Sequence, residues 1–277
     1  MEEFELKLIR SKRVTSEQLS AAKQEALRLG KSMWSVLVRR GHLTEEDVFI
    51  LFAQESALNY VSLTEYAINA DVFRGLSESF CREYQCIPLF KVKNTLYIAC
   101  SDPFNTAFLD RLSALSESAV EPLIASPRAI QQALDSYYGQ EADFFKLENL
   151  LFKKNPLRGV PFHRESGRRS LSVPVRVSLE GQEVRLRCAS PIDGVSCNIS
   201  ESGMAVGLQV FLFLPKGLEV SIEFKLNSGI ISEAETVQAK GEIVYCNIQE
   251  GKRYYLGIKF IELSKEGKNK LLKLAAG

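Results

Sequence analysis

The stretch "REYQCIPLFKVKNTLYIACSDPFN", residues 82–105, contains two apolar runs, Cys86–Val92 and Thr95–Cys100, separated by Lys93-Asn94. Each run has strand length and strand-favouring residues, and the short polar break predicts a tight turn, so the pair reads as a β-hairpin. Asp102-Pro103 then interrupts the chain. Upstream, 71–84 has helical periodicity. Downstream, a helix is expected to about Leu115, a strand over 120–125, and a helix from Pro127 to Tyr138. The order α, β, β, α, β, α predicts a compact α/β unit over 59–139.

Residues 1–58 read as helical. Thr15 or Ser16 is a candidate N-cap for a helix running to about Leu29, with Leu19, Ala22 and Ala26 on one face. A second helix is expected over 32–40, ended by Gly41. A third begins at Thr44, and its acidic first turn, Glu45-Glu46-Asp47, suits the positive end of the helix dipole.

After Tyr138 the character changes twice. Residues 140–163 read as a linker. Phe144, Phe145, Leu147, Leu150, Leu151 and Phe152 stand at helical spacing and are expected to dock on a domain face. Pro, Gly and six basic residues over 153–169 predict a mobile segment. From 173 to 263 the pattern is all β. VPVRVSL, EVRLRCAS, GMAVGLQVF, LEVSIEFKL, QAKGEIVYC and YYLGIKFI read as six short strands, and short antiparallel strands of this kind suggest a closed barrel. Residues 265–275 read as a closing amphipathic helix. The predicted fold class is therefore multidomain α+β: an N-terminal helical bundle, a small α/β unit, and a C-terminal antiparallel six-stranded barrel with a closing helix.

The 277 residues are enough for about two domains, perhaps three small ones. At 45% hydrophobic and 25% charged the composition is that of a soluble globular protein. A net charge of +1 argues against a general nucleic-acid binder. No apolar run is long enough to span a membrane, and the N-terminus has no signal-peptide core. Together these predict a cytoplasmic protein without membrane insertion, whose six cysteines are reduced thiols. His42 and His163 are far apart and the cysteines lack metal spacing, so no metal site is expected. No nucleophile–base arrangement or suggestive carboxylate pair points to an enzyme.

Two half-signatures overlap in "LRLGKSMWSVLVRRG", residues 27–41. A phosphate-binding P-loop needs Gly at both ends of GxxxxGK[ST], because backbone N–H groups must curl round the phosphates. Glu25 occupies the first of these positions, and a helix rather than a strand precedes it.

Residues 1–139 resemble the N-terminal domain of secretion and pilus ATPases of the GspE, PilB and MshE type. The resemblance is carried most specifically by IPLF, LYIA and SDPFN. In MshE-like members two helical repeats, each reading roughly RLGxxLVxxG, bind cyclic di-GMP. Here Leu37-Val38 fills the LV position of the second repeat, which places Ser32-Met33-Trp34 in the RLG slots. The visible Arg28-Leu29-Gly30 lies about one helical turn too early. In the first repeat Glu3-Phe4-Glu5 occupies those slots. The ligand-contacting Arg is missing from both copies, so this part is expected to be an interaction module with Met33 and Trp34 in packing roles.

Residues 164–277 resemble a PilZ domain. Arg164-Glu165-Ser166-Gly167-Arg168 matches RxxxR just before the first strand. Asn198-Ile199-Ser200-Glu201-Ser202-Gly203 matches [D/N]xSxxG, and YYLGIKFIEL matches a late strand with its Gly257. A register beginning at Arg168 would put Ser172 in the second Arg slot, so Arg164 and Arg168 are the assignment, with Arg169 a neighbour. The resemblance implies a regulatory ligand, cyclic di-GMP, held by Arg164, Arg168, Asn198, Ser200 and Gly203, with Arg169 and His163 as possible additions. The chemistry fits: an Arg fork pairs bidentately with phosphate or the O6/N7 edge of guanine. An amide at Asn198 and a hydroxyl at Ser200 can read an edge, and Gly203 permits close backbone approach.

The expected function is a non-catalytic receptor and adaptor. Ligand pins the linker to the barrel, changes the placement of the two halves, and so alters how the N-terminal module meets a protein of pilus, secretion or motility machinery. The alternative is an interaction scaffold whose barrel binds no nucleotide, a reading that Asn in place of the commoner Asp leaves open.

Overall fold

The computed structural model describes residues 5, 6, 8, 9, 13–68, 72, 76–138, 172–188, 190–226, 235–249, 253–264 and 267. The linker, with its apolar run and RxxxR, and nearly all of the expected closing helix lie outside the described residues.

The N-terminal helices begin where their caps place them. α1 (Ser16–Leu29) has a capping box in which Thr15 accepts from the Gln18 N–H and Gln18 accepts from the Thr15 N–H. It ends at Gly30, whose φ of 60° only glycine adopts cheaply. α2 (Met33–Arg39) is capped by Ser32, and α3 (Glu45–Glu55) by a second box between Thr44 and Asp47. Each such cap contributes about 1 kcal/mol. Leu19, Ala22, Ala26, Val36, Leu37 and Leu51 form a small core of their own, with Met33 and Trp34 packed on it as expected. Asp47 also pairs with Arg13 at 2.5 Å.

The α/β unit follows. α4 (Glu78–Glu83) starts at Ser77, a shorter helix than the expected 71–84. β1 (Cys86–Val92) and β2 (Thr95–Cys100) form the expected hairpin, with Lys93 in the left-handed region at φ 53°. α5 (Thr106–Ser116) crosses to β3 (Ala119–Ile124), which pairs parallel with β2, and α6 (Pro127–Tyr138) packs back on β1 and β2. β1 and β2 are buried on both faces, which explains why their sequence is a continuous apolar run rather than an alternation. The helices cover one face, through Phe80, Phe108, Leu112, Ile130 and Leu134.

A closed antiparallel barrel covers the other. Its strands are β4 (Pro174–Leu179), β5 (Ile192–Ser200), β6 (Gly203–Leu208), β7 (Glu219–Leu226), β8 (Glu235–Gln249) and β9 (Arg253–Leu263), in the order β4-β5-β6-β9-β8-β7. Six strands were expected, but one was misplaced. EVRLRCAS is not in the barrel. Its backbone instead meets the α/β unit: the Ala67 N–H donates to the Arg185 carbonyl and the Arg187 N–H to the Glu65 carbonyl, both at 2.9 Å. The missing strand is β5, whose inward positions include Gly194 and Ser196, too small and polar to show as an apolar alternation.

Because neighbouring strands are antiparallel, the connections 180–188 and 209–218 and the end of β8 at Gln249 gather at one end of the barrel, and all three touch the N-terminal part. Besides the 185–187 contact, the Tyr66 hydroxyl donates to the Phe213 carbonyl at 2.7 Å, and Gln54 donates to the Gln249 carbonyl at 2.8 Å. The Tyr254 hydroxyl donates to the Tyr60 carbonyl. Aromatic rings continue the contact: Tyr66, Phe90, Tyr97, Phe213, Tyr254, Phe211 and Tyr60 form a chain with successive centroids 5.2–6.0 Å apart. One buried core runs through both units. The α/β unit thus stoppers one end of the barrel. This differs from the expectation of two halves placed by their linker alone. No helix among the described residues is long and apolar enough to cross a membrane.

Candidate functional site

The opposite end of the barrel holds the NxSxxG residues. β5 and β6 form a hairpin turning at Glu201-Ser202, with Ser200 opposite Gly203 and Asn198 opposite Ala205. A bulge between Ser196 and Asn198 shifts the register. Ile199 packs on the core, so its neighbours Asn198 and Ser200 lie on the outer face. The Ser200 hydroxyl donates to the Gly203 carbonyl at 3.1 Å and lies 3.3 Å from the Ser202 hydroxyl. Its oxygen lone pairs and the exposed turn can meet a ligand at the rim.

Gly203 is fixed by packing. A Cβ built there would stand 2.2 Å from the Ile258 carbonyl oxygen and 3.2 Å from the Lys259 Cα. Only a bare Cα lets β6 pass this close to β9, which brings Lys259, an exposed cation, opposite Gly203. On the same outer face burial pushes the Cys197 thiol and the Tyr255 phenol up, so neither carries negative charge near neutral pH.

The RxxxR residues Arg164 and Arg168, with His163 and Arg169, lie outside the described residues. Their chain re-enters the described structure beside the motif. The Val173 N–H donates to the Ser196 hydroxyl at 3.0 Å, and the Ser196 N–H donates to the Val173 carbonyl at 2.9 Å. Ser196 is 2% exposed and is two residues from Asn198. Sequence reading passed over Ser196. A serine on an inward β position was the available signal.

The stretch at 27–41 does other work. Glu25 accepts ion pairs from both Arg39 and Arg40. Burial works to raise the Glu25 pKa, but hydrogen bonds and charge from the two arginines outweigh it and hold the group below the usual carboxylate value. The position a P-loop would leave bare is filled by a paired carboxylate. Ser32 caps α2, consistent with a packing role for the displaced repeat. Among the described residues no group of three His, Cys, Asp or Glu is placed to hold a metal ion.

Residues 56–144 match the MshEN domain and residues 162–277 match the PilZ domain. The chain carries an MshEN domain followed by a PilZ domain. The MshEN match begins after α3, and the closed barrel is the PilZ part. A curated relative, the type IV pilus assembly ATPase PilB of Myxococcus xanthus (strain DK1622), is 22% identical over 134 residues, 48% of this chain. The match spans 24% of that relative's length. Among solved structures, MshE with cdg is 24% identical, with a TM-score of 0.40 over 47% of this chain and 95% of that one. The Bacillus subtilis inhibitor of motility MotI/DgrA is 16% identical, with a TM-score of 0.34 over 42% of this chain and 51% of that one.

Proposed function

We propose that the chain is a non-catalytic cytoplasmic receptor for cyclic di-GMP, with Arg164, Arg168, Asn198, Ser200 and Gly203 as its ligand contacts. The observation that carries this reading is the Val173–Ser196 anchor, which seats the chain leaving RxxxR against the strand that bears Asn198. That anchor supports placing the two motifs, 30 residues apart from Arg168 to Asn198, in one site. His163 and Arg169 are additional candidates beside the phosphates.

The shared core reshapes the mechanism. A barrel packed against the α/β unit through seven aromatic rings does not swing about its linker. Ligand held by Arg164 and Arg168 therefore alters the surface shown to a protein partner without swinging the barrel. That partner belongs to pilus, secretion or motility machinery.

Calorimetry of the whole chain with cyclic di-GMP tests the reading. Wild-type protein should bind, and Arg164→Ala/Arg168→Ala should weaken binding by about 100-fold or more, since each charge-assisted hydrogen bond is worth about 1.5–3 kcal/mol. Absence of binding by the wild type would sink the proposal and favour the ligand-independent scaffold.

A further inference from the structure

Three thiols meet between α4 and the hairpin. Cys81 on α4, Cys86 at the start of β1 and Cys100 at the end of β2 are each 0% exposed, and all three are free. Cys86 and Cys100 stand opposite each other in the β1–β2 register. The Ser101 N–H donates to the Gln85 carbonyl at 3.2 Å, which makes the two cysteines a non-hydrogen-bonded pair, with side chains on one face and close together. Cys81 meets this pair from the helix layer, through a hydrogen bond between its sulfur and that of Cys86.

The cluster has a direction. The Tyr138 hydroxyl has one proton and donates it to the Leu76 carbonyl at 3.1 Å. Cys81 Sγ lies 3.8 Å from the same hydroxyl, so the Cys81 thiol donates to the phenol oxygen and the Cys86 thiol donates to Cys81. The hydrogen bond from Cys86 holds the Cys81 thiol below its usual value against the effect of burial. The same bond, together with burial, pushes the Cys86 thiol up. Burial and the charge of Asp102 push Cys100 up to about 12, so it stays protonated. Cys81 is therefore the member that most readily becomes a thiolate, the reactive form.

We infer that Cys81 and Cys86 are a redox couple that closes to a disulfide on reaction with hydrogen peroxide, with Cys81 as the attacking sulfur and Cys86 as the resolving one. This inference is independent of the cyclic di-GMP reading. The Cys81 thiolate attacks one peroxide oxygen, the O–O bond breaks and hydroxide leaves; the sulfur is oxidised to sulfenic acid and the peroxide is reduced. The Cys86 sulfur then attacks the Cys81 sulfur, the S–O bond breaks, and the departing hydroxide takes the Cys86 proton and leaves as water. Peroxide enters past α4, which is six residues long and is tied at its surface by ion pairs of Arg82 with Glu78 and Asp135, both at 2.8 Å. Such surface pairs contribute little, and so short a helix opens without global unfolding. Closure joins α4 covalently to β1 and takes from Tyr138, the last residue of α6, its thiol partner.

Peptide mapping of the full wild-type chain tests the inference. Trypsin cuts after Arg82, Lys91 and Lys93, so Cys81, Cys86 and Cys100 fall on three different peptides. Native protein is treated with hydrogen peroxide, unfolded in N-ethylmaleimide and digested. The Cys81 and Cys86 peptides should appear joined, lighter by two hydrogens than their sum, and dithiothreitol should separate them. Cys246 is also buried, but its sulfur accepts from the Leu214 N–H at 3.4 Å, and it should stay unoxidised. No joined pair, a joined Cys86–Cys100 pair in its place, or equal oxidation of Cys246 would each overturn the inference. Cys86→Ser leaves Cys81 without a resolving thiol, so dimedone should then label Cys81 after peroxide. Absence of that label would overturn the assignment of Cys81 as the attacking sulfur.

Discussion

Tyr254→Ala should destabilise the whole chain by about 4 kcal/mol, and the α/β unit and the barrel should unfold in one transition. Tyr254 is 1% exposed inside the barrel, and its hydroxyl leaves the barrel to donate to the Tyr60 carbonyl. Its ring touches Phe211 at 5.2 Å and Phe213 at 6.0 Å. Truncation opens a ring-sized cavity at the junction and strips a buried carbonyl of its donor, so two costs add. Tyr254→Phe separates them: it keeps the ring and should lose only about 1 kcal/mol. Urea denaturation followed by far-ultraviolet circular dichroism and by tyrosine and tryptophan emission checks this. The two probes should report one midpoint in the wild type, shifted together in both variants. Two separate midpoints in the wild type would show that the shared core does not couple the units.

Gly203→Ala should cost about 3 kcal/mol or more and remove ligand binding as well. The nearest atoms to the new methyl are backbone: the Ile258 carbonyl oxygen at 2.2 Å, the Ile258 carbonyl carbon at 3.2 Å and the Lys259 Cα at 3.2 Å. Backbone in a closed barrel cannot rotate aside as a side chain can, so β6 must part from β9. The turn 201–202 then moves with it, because the Phe260 N–H donates to the Ser202 carbonyl at 2.9 Å. Thermal melting and calorimetry on the same sample test the linked loss. A variant that melts near the wild-type temperature and binds normally would contradict the close approach.

The parts of the fold that follow local rules were legible in the sequence. Thr15, Ser32 and Thr44 cap their helices, the Lys93-Asn94 turn closes its hairpin, and the barrel has six strands. What failed was the assignment of one strand. Val184, Leu186 and Cys188 alternate with Arg185 and Arg187 as a barrel strand should, yet the backbone here pairs with 65–67 and not with a barrel strand. Alternation says that a face is covered and not by what. β5 hid for the opposite reason, since Gly194 and Ser196 occupy inward positions without apolar bulk. The junction itself left one trace, the two largely apolar runs Cys86–Val92 and Thr95–Cys100, too apolar for a sheet covered on one side only. Its aromatic members come from positions between 60 and 254, and no window along the chain holds them together. At the candidate site the motif spacing singled out Asn198, Ser200 and Gly203, which the β5–β6 hairpin brings to one turn, whereas the Val173–Ser196 anchor joins residues 23 apart and was out of reach.

The stoppered barrel end also limits how these two domains can be recombined. A barrel taken from another chain would bring its own connection in place of 209–218. Tyr60, Tyr66 and Tyr97 would then face a surface not shaped for Phe211 and Phe213. Each domain supplies part of the other's interior, so changes at the junction must be matched on both sides. The pair is exchangeable as a unit, and its halves are not separately interchangeable parts.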